Sequence, residues 1–354
     1  MTERVRRVAV VTTSYPRDAG DPAGHFVAAE VEDLVRSGAE VVVIAPAAGR
    51  RGGVRSRGAE GGGRGTVRRI EVAAGEAFGF PGALARLRAS PIRSVGAARF
   101  LLGARSSLRR AGPFDEVIAH WLLPCAWPIA VDAPGALEVV VHGSDAELLL
   151  ALPRALRDHI LASLLARDAR FRFVSRALRE RLVAVGPPGL AARSSVRPAT
   201  LAMPDVPGRS AARAALDLGP EETVIVIAGR LLPGKRPLLA VGAATLVPGA
   251  RVFVVGDGPE RSRLEATFPE ARLLGALPRP AALTWIAAAD LLLSASASEG
   301  APTAIREARQ LGVPVVTTPV GDVRDWSVSD PGLTVVTERA APAEPPGARG
   351  RPPR

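Results

Sequence analysis

Residues 298–316 read "SEGAPTAIREARQLGVPVV". Gly300 lets the backbone approach another group closely, and Pro302 suits the first turn of a helix, where a missing N–H costs nothing. The pattern predicts a helix from about Thr303 to Leu311, stopped by Gly312 and Pro314. Glu299 falls in the loop before that helix and Glu307 inside it, an E-x7-E spacing. The apolar runs "DLLLSAS" (290–296) and "VPVVTT" (313–318) flank the segment. Strand, loop, helix, strand is the repeating unit of a parallel sheet. Ligands of open parallel sheets bind beyond the carboxyl ends of the strands. The free N–H groups at the helix start make an anion site there, beside two carboxylates that can accept hydrogen bonds from hydroxyl groups. Taken alone, two solvated acids on a capped surface helix would give the same spacing.

Outward from this segment, strand-length apolar runs recur between helix-length stretches. They fall at 5–12, 39–46, 68–73, 115–121, 137–143 and 170–175, then at 223–229, 251–256, 271–275, 290–296, 313–318 and 332–336. Continuous Val, Ile and Leu fit strands buried on both faces, so the expected fold class is α/β, with two doubly wound Rossmann-like domains facing each other across a cleft. The break falls in the Pro-rich stretch "PATLAMPDVPGRSAAR" (198–213). The expected division is 1–205, 206–337, and a Pro/Arg-rich tail at 338–354 that should be disordered.

"AGRLLPGKRP" (228–237) follows a strand and precedes a helix. It is nearly the phosphate loop G-x-x-x-x-G-K-[ST] of an ATPase. Arg236 stands where that loop needs a hydroxyl to offer a magnesium ion. Lys235 is the only lysine in the chain. "GDGPE" (256–260) fails as a dinucleotide fingerprint, since Arg261 replaces the third glycine. Four histidines and the single Cys125 show no zinc-ligand spacing, and no D-x-D motif occurs. One cysteine excludes an intrachain disulfide, no apolar run reaches membrane-span length, and the N-terminus enters a strand directly. A cytoplasmic protein is expected.

The formal net charge is +11 and the excess is regional. Residues 50–69 hold seven Arg and one Glu in a Gly-rich stretch expected to be a mobile loop; residues 80–112 hold seven Arg and no acid, with leucines between them. The second stretch reads as a basic helix, suited to an anionic membrane face or simply to solvent. Nucleic acid ranks below both, because no aromatic stacking motif accompanies the arginines. His120, before Trp121, either lines the cleft or merely ends a strand.

The combination "EGAP...REA..LGVPVV", "GRLLPGKRP" and "VFVVGDGPE" resembles the retaining glycosyltransferases of family 4, which have the GT-B fold. "GHFVAAEVEDLVRSGAEVVVIAP" (24–46), "VIAHWLLP" (117–124), "VVVHGSDAELL" (139–149) and "FVSRALRERL" (173–182) follow in the family's order, so the resemblance covers roughly 5–326. It implies a hexose moved from a nucleotide-diphosphate sugar to a lipid-linked or polysaccharide acceptor, with no metal and no cofactor beyond the donor. Arg230 and Lys235 would grip the diphosphate, over the glycine turn at Gly24. Glu307 would bind the ribose, and the backbone of Gly300, Ala301, Pro302 and Thr303 would lie against sugar and phosphate. Glu299, touching the donor sugar, and His142, near its reacting face, would be the catalytic residues. A lipid-linked acceptor implies peripheral contact with the inner membrane face. Two departures stand out: Asp322 occupies a usual glycine position, and the family's further C-terminal elements have no counterpart. These keep a non-catalytic nucleotide-sugar-binding protein as the alternative, and a P-loop NTPase as the second.

Overall fold

The structure, a computed structural model, describes residues 4–337 apart from 19, 22, 48–51, 59–64, 80–85, 88–89 and 91. The tail at 338–354 lies outside the described residues.

The first domain is built on β1 (Arg7–Val11), β2 (Glu40–Pro46), β3 (Gly53–Gly58), β4 (Thr66–Val72), β5 (Glu116–His120), β6 (Ala136–Val141), β7 (Arg170–Phe173) and β8 (Ser194–Val196), in the order β3-β4-β2-β1-β5-β6-β7-β8. Every pairing is parallel except β3 with β4. Val8 to Val11 and Val41 to Ile44 are wholly buried, as an apolar run covered by helices on both faces requires. Those helices are α1 (His25–Arg36), α2 (Arg93–Ala111), α3 (Ser144–Leu150), α4 (Arg154–Ala166) and α5 (Arg176–Val183), joined by an irregular helical segment, Leu122–Ala130.

The second domain carries β9 (Val224–Ala228), β10 (Arg251–Val255), β11 (Arg272–Gly275), β12 (Leu291–Ser294), β13 (Val315–Thr317) and β14 (Leu333–Val335), all parallel, in the order β11-β10-β9-β12-β13-β14. Its helices are α6 (Arg209–Ala215), α7 (Pro237–Thr245), α8 (Arg261–Thr267), α9 (Arg279–Ala288), α10 (Thr303–Gln310) and α11 (Val323–Ser329). The chain reverses its winding between β1 and β5 in one sheet and between β9 and β12 in the other. At such switch points neighbouring loops part in opposite directions and leave a crevice. The loops after β9 and β12 are those carrying Arg230, Lys235 and Glu299.

One expectation needs correcting. The basic Gly-rich stretch is not simply a loop: residues 53–58 pair antiparallel with 66–71 as a hairpin on the sheet edge. The acid-free stretch does hold a helix, α2. Acids from elsewhere in the chain reach its arginines: Arg105 and Arg109 meet Asp132, and Arg93, with Arg86 from the segment before the helix, meets Glu76. Of its leucines, Leu108 is buried in the core with Phe100. Among the described residues no helix is long and apolar enough to cross a membrane. A cavity of about 870 Å³ lies in the first domain, lined by Arg6, Glu30, Glu116, Glu138 and Arg170 among others.

Candidate active site

Close backbone contacts shape the loops of both domains, and at Gly300 one joins the two domains. A side-chain carbon on Gly300 would overlap the carbonyl oxygen of His142 and lie 2.8 Å from Cγ2 of Val174. One on Gly321, at φ 50°, would overlap the carbonyl of Gly300. Gly24 caps α1 in the left-handed region, at φ 72°, with its back against Ser14 and Tyr15. Ala301 packs against the core of the first domain. Pro302 is the N-cap of α10 and leaves the first turn, beginning at Thr303, without a side-chain cap.

Lys235 ends a tight 3-10 turn, Pro233–Lys235, and its Nζ is paired with Oε1 of Glu299, the oxygen that also accepts from Ser296 Oγ at 2.9 Å. Arg236 takes the left-handed conformation at φ 47° before Pro237 opens α7. Its guanidinium donates from Nε to the carbonyl of Ala295 (2.6 Å) and from Nη2 to that of Ser296 (3.2 Å). The residue in place of a magnesium-binding hydroxyl is therefore a brace that ties the Lys235 turn to the Glu299 loop. A backbone bond from Ala297 N to Gly234 O, 2.9 Å, closes the same brace. Arg230 reaches solvent at the mouth of these loops. Desolvation pushes its pKa below the ordinary arginine value, and the nearby charge of Glu299 opposes that shift. Gly256 and Gly258 of "GDGPE" have φ of 144° and 154° and pack directly on the backbone of Gly229 and Leu231.

Glu307 is buried on α10. Its Oε1 accepts from Nε and Nη2 of Arg279, at 3.0 and 2.8 Å, and lies 3.6 Å from Nε2 of His25 in the first domain. The Arg279 backbone N–H in turn donates to Gly20 O at 3.1 Å. Arg279, at the start of α9, was missed by sequence reasoning, although like Arg236 it follows a strand and stands before a proline at the start of a helix. Across the cleft, His142 follows β6 beneath Trp121 and Phe26, its ring centroid 4.8 and 5.0 Å from theirs. The buried carboxylate of Asp145 accepts from the N–H groups of Leu122, His142 and Gly143, at 2.7, 3.0 and 2.9 Å. Burial raises the pKa of Asp145, and those three donors act against the rise. This carboxylate fixes the backbone on which His142 is mounted; no sequence signal marked it.

The structure thus gathers Arg230, Lys235, Glu299 and Gly300 at one switch point, with His142 directly opposite. Gly24 and Glu307 lie together through His25 at a second contact between the domains. The exposed His159, on α4, has no part in either.

Comparison with known proteins bears on the fold that carries these residues. Residues 222–344 match the family model described as glycosyl transferases group 1. A D-inositol 3-phosphate glycosyltransferase of Mycobacterium sp. (strain KMS) is 38% identical over 125 residues, which is 32% of this chain and 28% of the relative's length. Sucrose-phosphate synthase from Thermosynechococcus elongatus superposes with a TM-score of 0.71 at 18% identity, covering 94% of this chain and 86% of that one. The E. coli trehalose-6-phosphate protein bound with UDP-2-fluoro glucose superposes with a TM-score of 0.64 at 15% identity, covering 93% and 87%. The chain therefore has the two-domain GT-B fold, and its second domain is similar to the group 1 glycosyl transferases.

Proposed function

We propose that this protein is a retaining glycosyltransferase of family 4 that moves a hexose from a nucleotide-diphosphate sugar to a lipid-linked or polysaccharide acceptor. The observation that carries this reading is the pairing of the chain's only lysine with Glu299, at the switch point of the second sheet and against the backbone contact of Gly300 with His142. A cation and a carboxylate that neutralise each other there can exchange partners. Phosphate oxygens take Lys235, and sugar hydroxyls donate to the released Glu299.

The chemistry follows from charge. Cleaving the donor expels a nucleoside diphosphate, so negative charge grows on the leaving oxygens. Arg230, Lys235 and the uncapped first turn of α10 are aimed where that charge develops. Two fixed cations and a helix N-terminus can stabilise it without calling on a metal. Glu307, oriented by Arg279, would accept from the ribose hydroxyls. His142 would face the reacting side of the sugar. In retaining transfer by front-face attack, the leaving phosphate oxygen takes the acceptor's proton. For a lipid-linked acceptor the exposed face of α2 offers Ile92, Val95 and Leu102 beside Arg99 and Arg110 as a membrane contact.

The experiment is a panel of UDP- and GDP-sugars assayed for release of the nucleoside diphosphate, with Lys235→Ala in parallel. The variant is expected to bind the nucleoside diphosphate about 1.5–3 kcal/mol more weakly, the scale of a hydrogen bond to a charged group. Tight donor binding without turnover, even with acceptor extracts, would favour the non-catalytic alternative. Magnesium-dependent ATP hydrolysis lost in the variant would favour the NTPase reading, against which the brace made by Arg236 stands.

A further inference from the structure

Nε2 of His142 lies 3.0 Å from Nδ1 of His120, and the two rings stack 5.2 Å apart at 18°. His120, at the end of β5, is buried. Its other nitrogen, Nε2, faces Oε2 of Glu30 at 3.7 Å, and neither atom has a hydrogen-bond partner among the described residues. Oε1 of Glu30 is paired with the buried guanidinium of Arg172, whose Nε donates to Glu138 Oε2 at 3.2 Å. Glu30 and Glu138 both border the 870 Å³ cavity. A continuous line of polar groups therefore crosses the first domain from that cavity to the cleft: Glu138, Arg172, Glu30, His120, His142.

Burial, and then the charge of Arg172, lower the pKa of His120 to about 3. Burial first, then His120 and Arg172, lower that of His142 well below its ordinary value. Each ring is therefore neutral near pH 7 and carries one N–H, and the pair can be arranged in two ways. In the first, His120 keeps its proton on Nε2, facing the Glu30 carboxylate, and its bare Nδ1 accepts from His142 Nε2–H. In the second, His120 Nδ1–H donates to His142, and the lone pair of His120 Nε2 faces the carboxylate. Only the first sets opposite partial charges against each other at the Glu30 end.

We infer that Glu30, acting through His120, fixes the tautomer of His142, so that Nδ1 of His142 is a bare hydrogen-bond acceptor. Glu30 and His120 are positioning residues, held in turn by Arg172. The consequence for chemistry rests on the glycosyl-transfer reading above: His142 receives a hydrogen bond from a hydroxyl of the donor sugar or of the acceptor, and does not donate to the leaving oxygen.

The test is a long-range 1H–15N correlation spectrum of the full chain with labelled histidine. It holds four histidines, and His25 and His159 are assigned by substitution. The expected spectrum shows His120 and His142 both protonated on Nε2. In Glu30→Gln the amide oxygen keeps the place against Arg172, and the NH2 falls opposite His120 Nε2. Both protons should move to Nδ1. A wild-type His142 protonated on Nδ1, or a Glu30→Gln spectrum without the switch, would overturn the assignment. Should that variant not fold, His120→Phe retains the stacked ring but removes the acceptor. His142 should then show both tautomers, and persistence of the pure Nε2–H form would count against the proposal. These spectra need no substrate, so they decide the tautomer even if no donor is ever turned over. With a donor in hand, Glu30→Gln should lower kcat about tenfold with donor KM unchanged, the effect of one lost hydrogen bond. A switched tautomer with unchanged kcat would sink the functional half.

Discussion

Lys235 and Arg236 are neighbouring cations with different tasks. Lys235 pairs with the side-chain carboxylate of Glu299, whereas Arg236 donates to the backbone carbonyls of Ala295 and Ser296. The sequence marked Lys235, because a sole lysine in a glycine turn stands out. It could not show what Arg236 touches, since Ala295 lies on another strand's loop. The helix that carries Glu307 was legible for a local reason, the Pro302 start and the Gly312 stop, and α10 runs over Thr303–Gln310; the role of Glu307 came only from the resemblance. Arg279, Asp145 and Glu30 were not legible, because each earns its role from a partner far away in the chain or from backbone geometry. At this scale the buried imidazole of His120 has a measurable effect. Its folded-state pKa is depressed to about 3 from an unfolded value of 6.5. Above pH 6.5 both states are neutral and nothing changes. Between 6.5 and 3 the unfolded chain takes up a proton that the folded one cannot, so stability falls as pH falls. The slope from this one group approaches about 1.4 kcal/mol per pH unit. Urea titrations across pH 4–6.5 should show it, and His120→Phe should flatten the profile. Equal slopes would mean that His120 is protonated in the folded protein.

Among the elements, the parallel strands were the most legible, because double burial leaves unbroken apolar runs in both sheets. The edges were not. β3 pairs through polar, arginine-bearing sequence, and β8, Ser194–Val196, holds a single apolar residue, so no apolar run marks it. Helix α2 shows how a charge pattern misleads when read along the chain. Its run of arginines without an acid is partly neutralised by Glu76 and Asp132, which lie outside the run. What remains is narrower: Ile92, Val95 and Leu102 are 78%, 51% and 73% exposed, and Arg99 and Arg110 enter no ion pair among the described residues. If this face meets an anionic membrane, Arg99→Glu with Arg110→Glu should weaken vesicle binding more than Arg105→Glu. An arginine near such a surface contributes about 1 kcal/mol, so losing two weakens binding roughly 30-fold. Co-sedimentation with anionic and neutral vesicles reads this directly. Equal binding to both kinds, or to neither, would leave α2 as a solvated face and point to a soluble acceptor.

Across the whole molecule, the two domains are joined by backbone and by a few side chains that act on the opposite domain's chain. Asp322 is the clearest case. The residue that departs from the family pattern accepts from the N–H groups of Arg176 (2.6 Å) and Ala177 (2.9 Å), the first turn of α5 in the other domain. Ser175 caps the same turn from within, accepting from Leu178 at 3.3 Å. Arg306 adds a bond from Nη1 to Ala199 O, 2.9 Å. A helix cap is worth about 1 kcal/mol, and here it is held by the facing domain. Asp322→Ala should therefore move the open–closed balance about fivefold toward open, read as a larger radius of gyration in solution scattering without ligand. An unchanged radius would mean the cap does not hold the cleft.

The same two hydrogen bonds turn α5 into a clock. The amide protons of Arg176 and Ala177 are shielded by a carboxylate that belongs to the other half of the molecule, so whenever the halves separate they become free to trade with deuterium. Their exchange rate then reports the fraction of time the cleft stands open, while Leu178, covered from its own side by Ser175, keeps time for the helix alone. A donor that draws the halves together would slow the first pair and leave the second untouched.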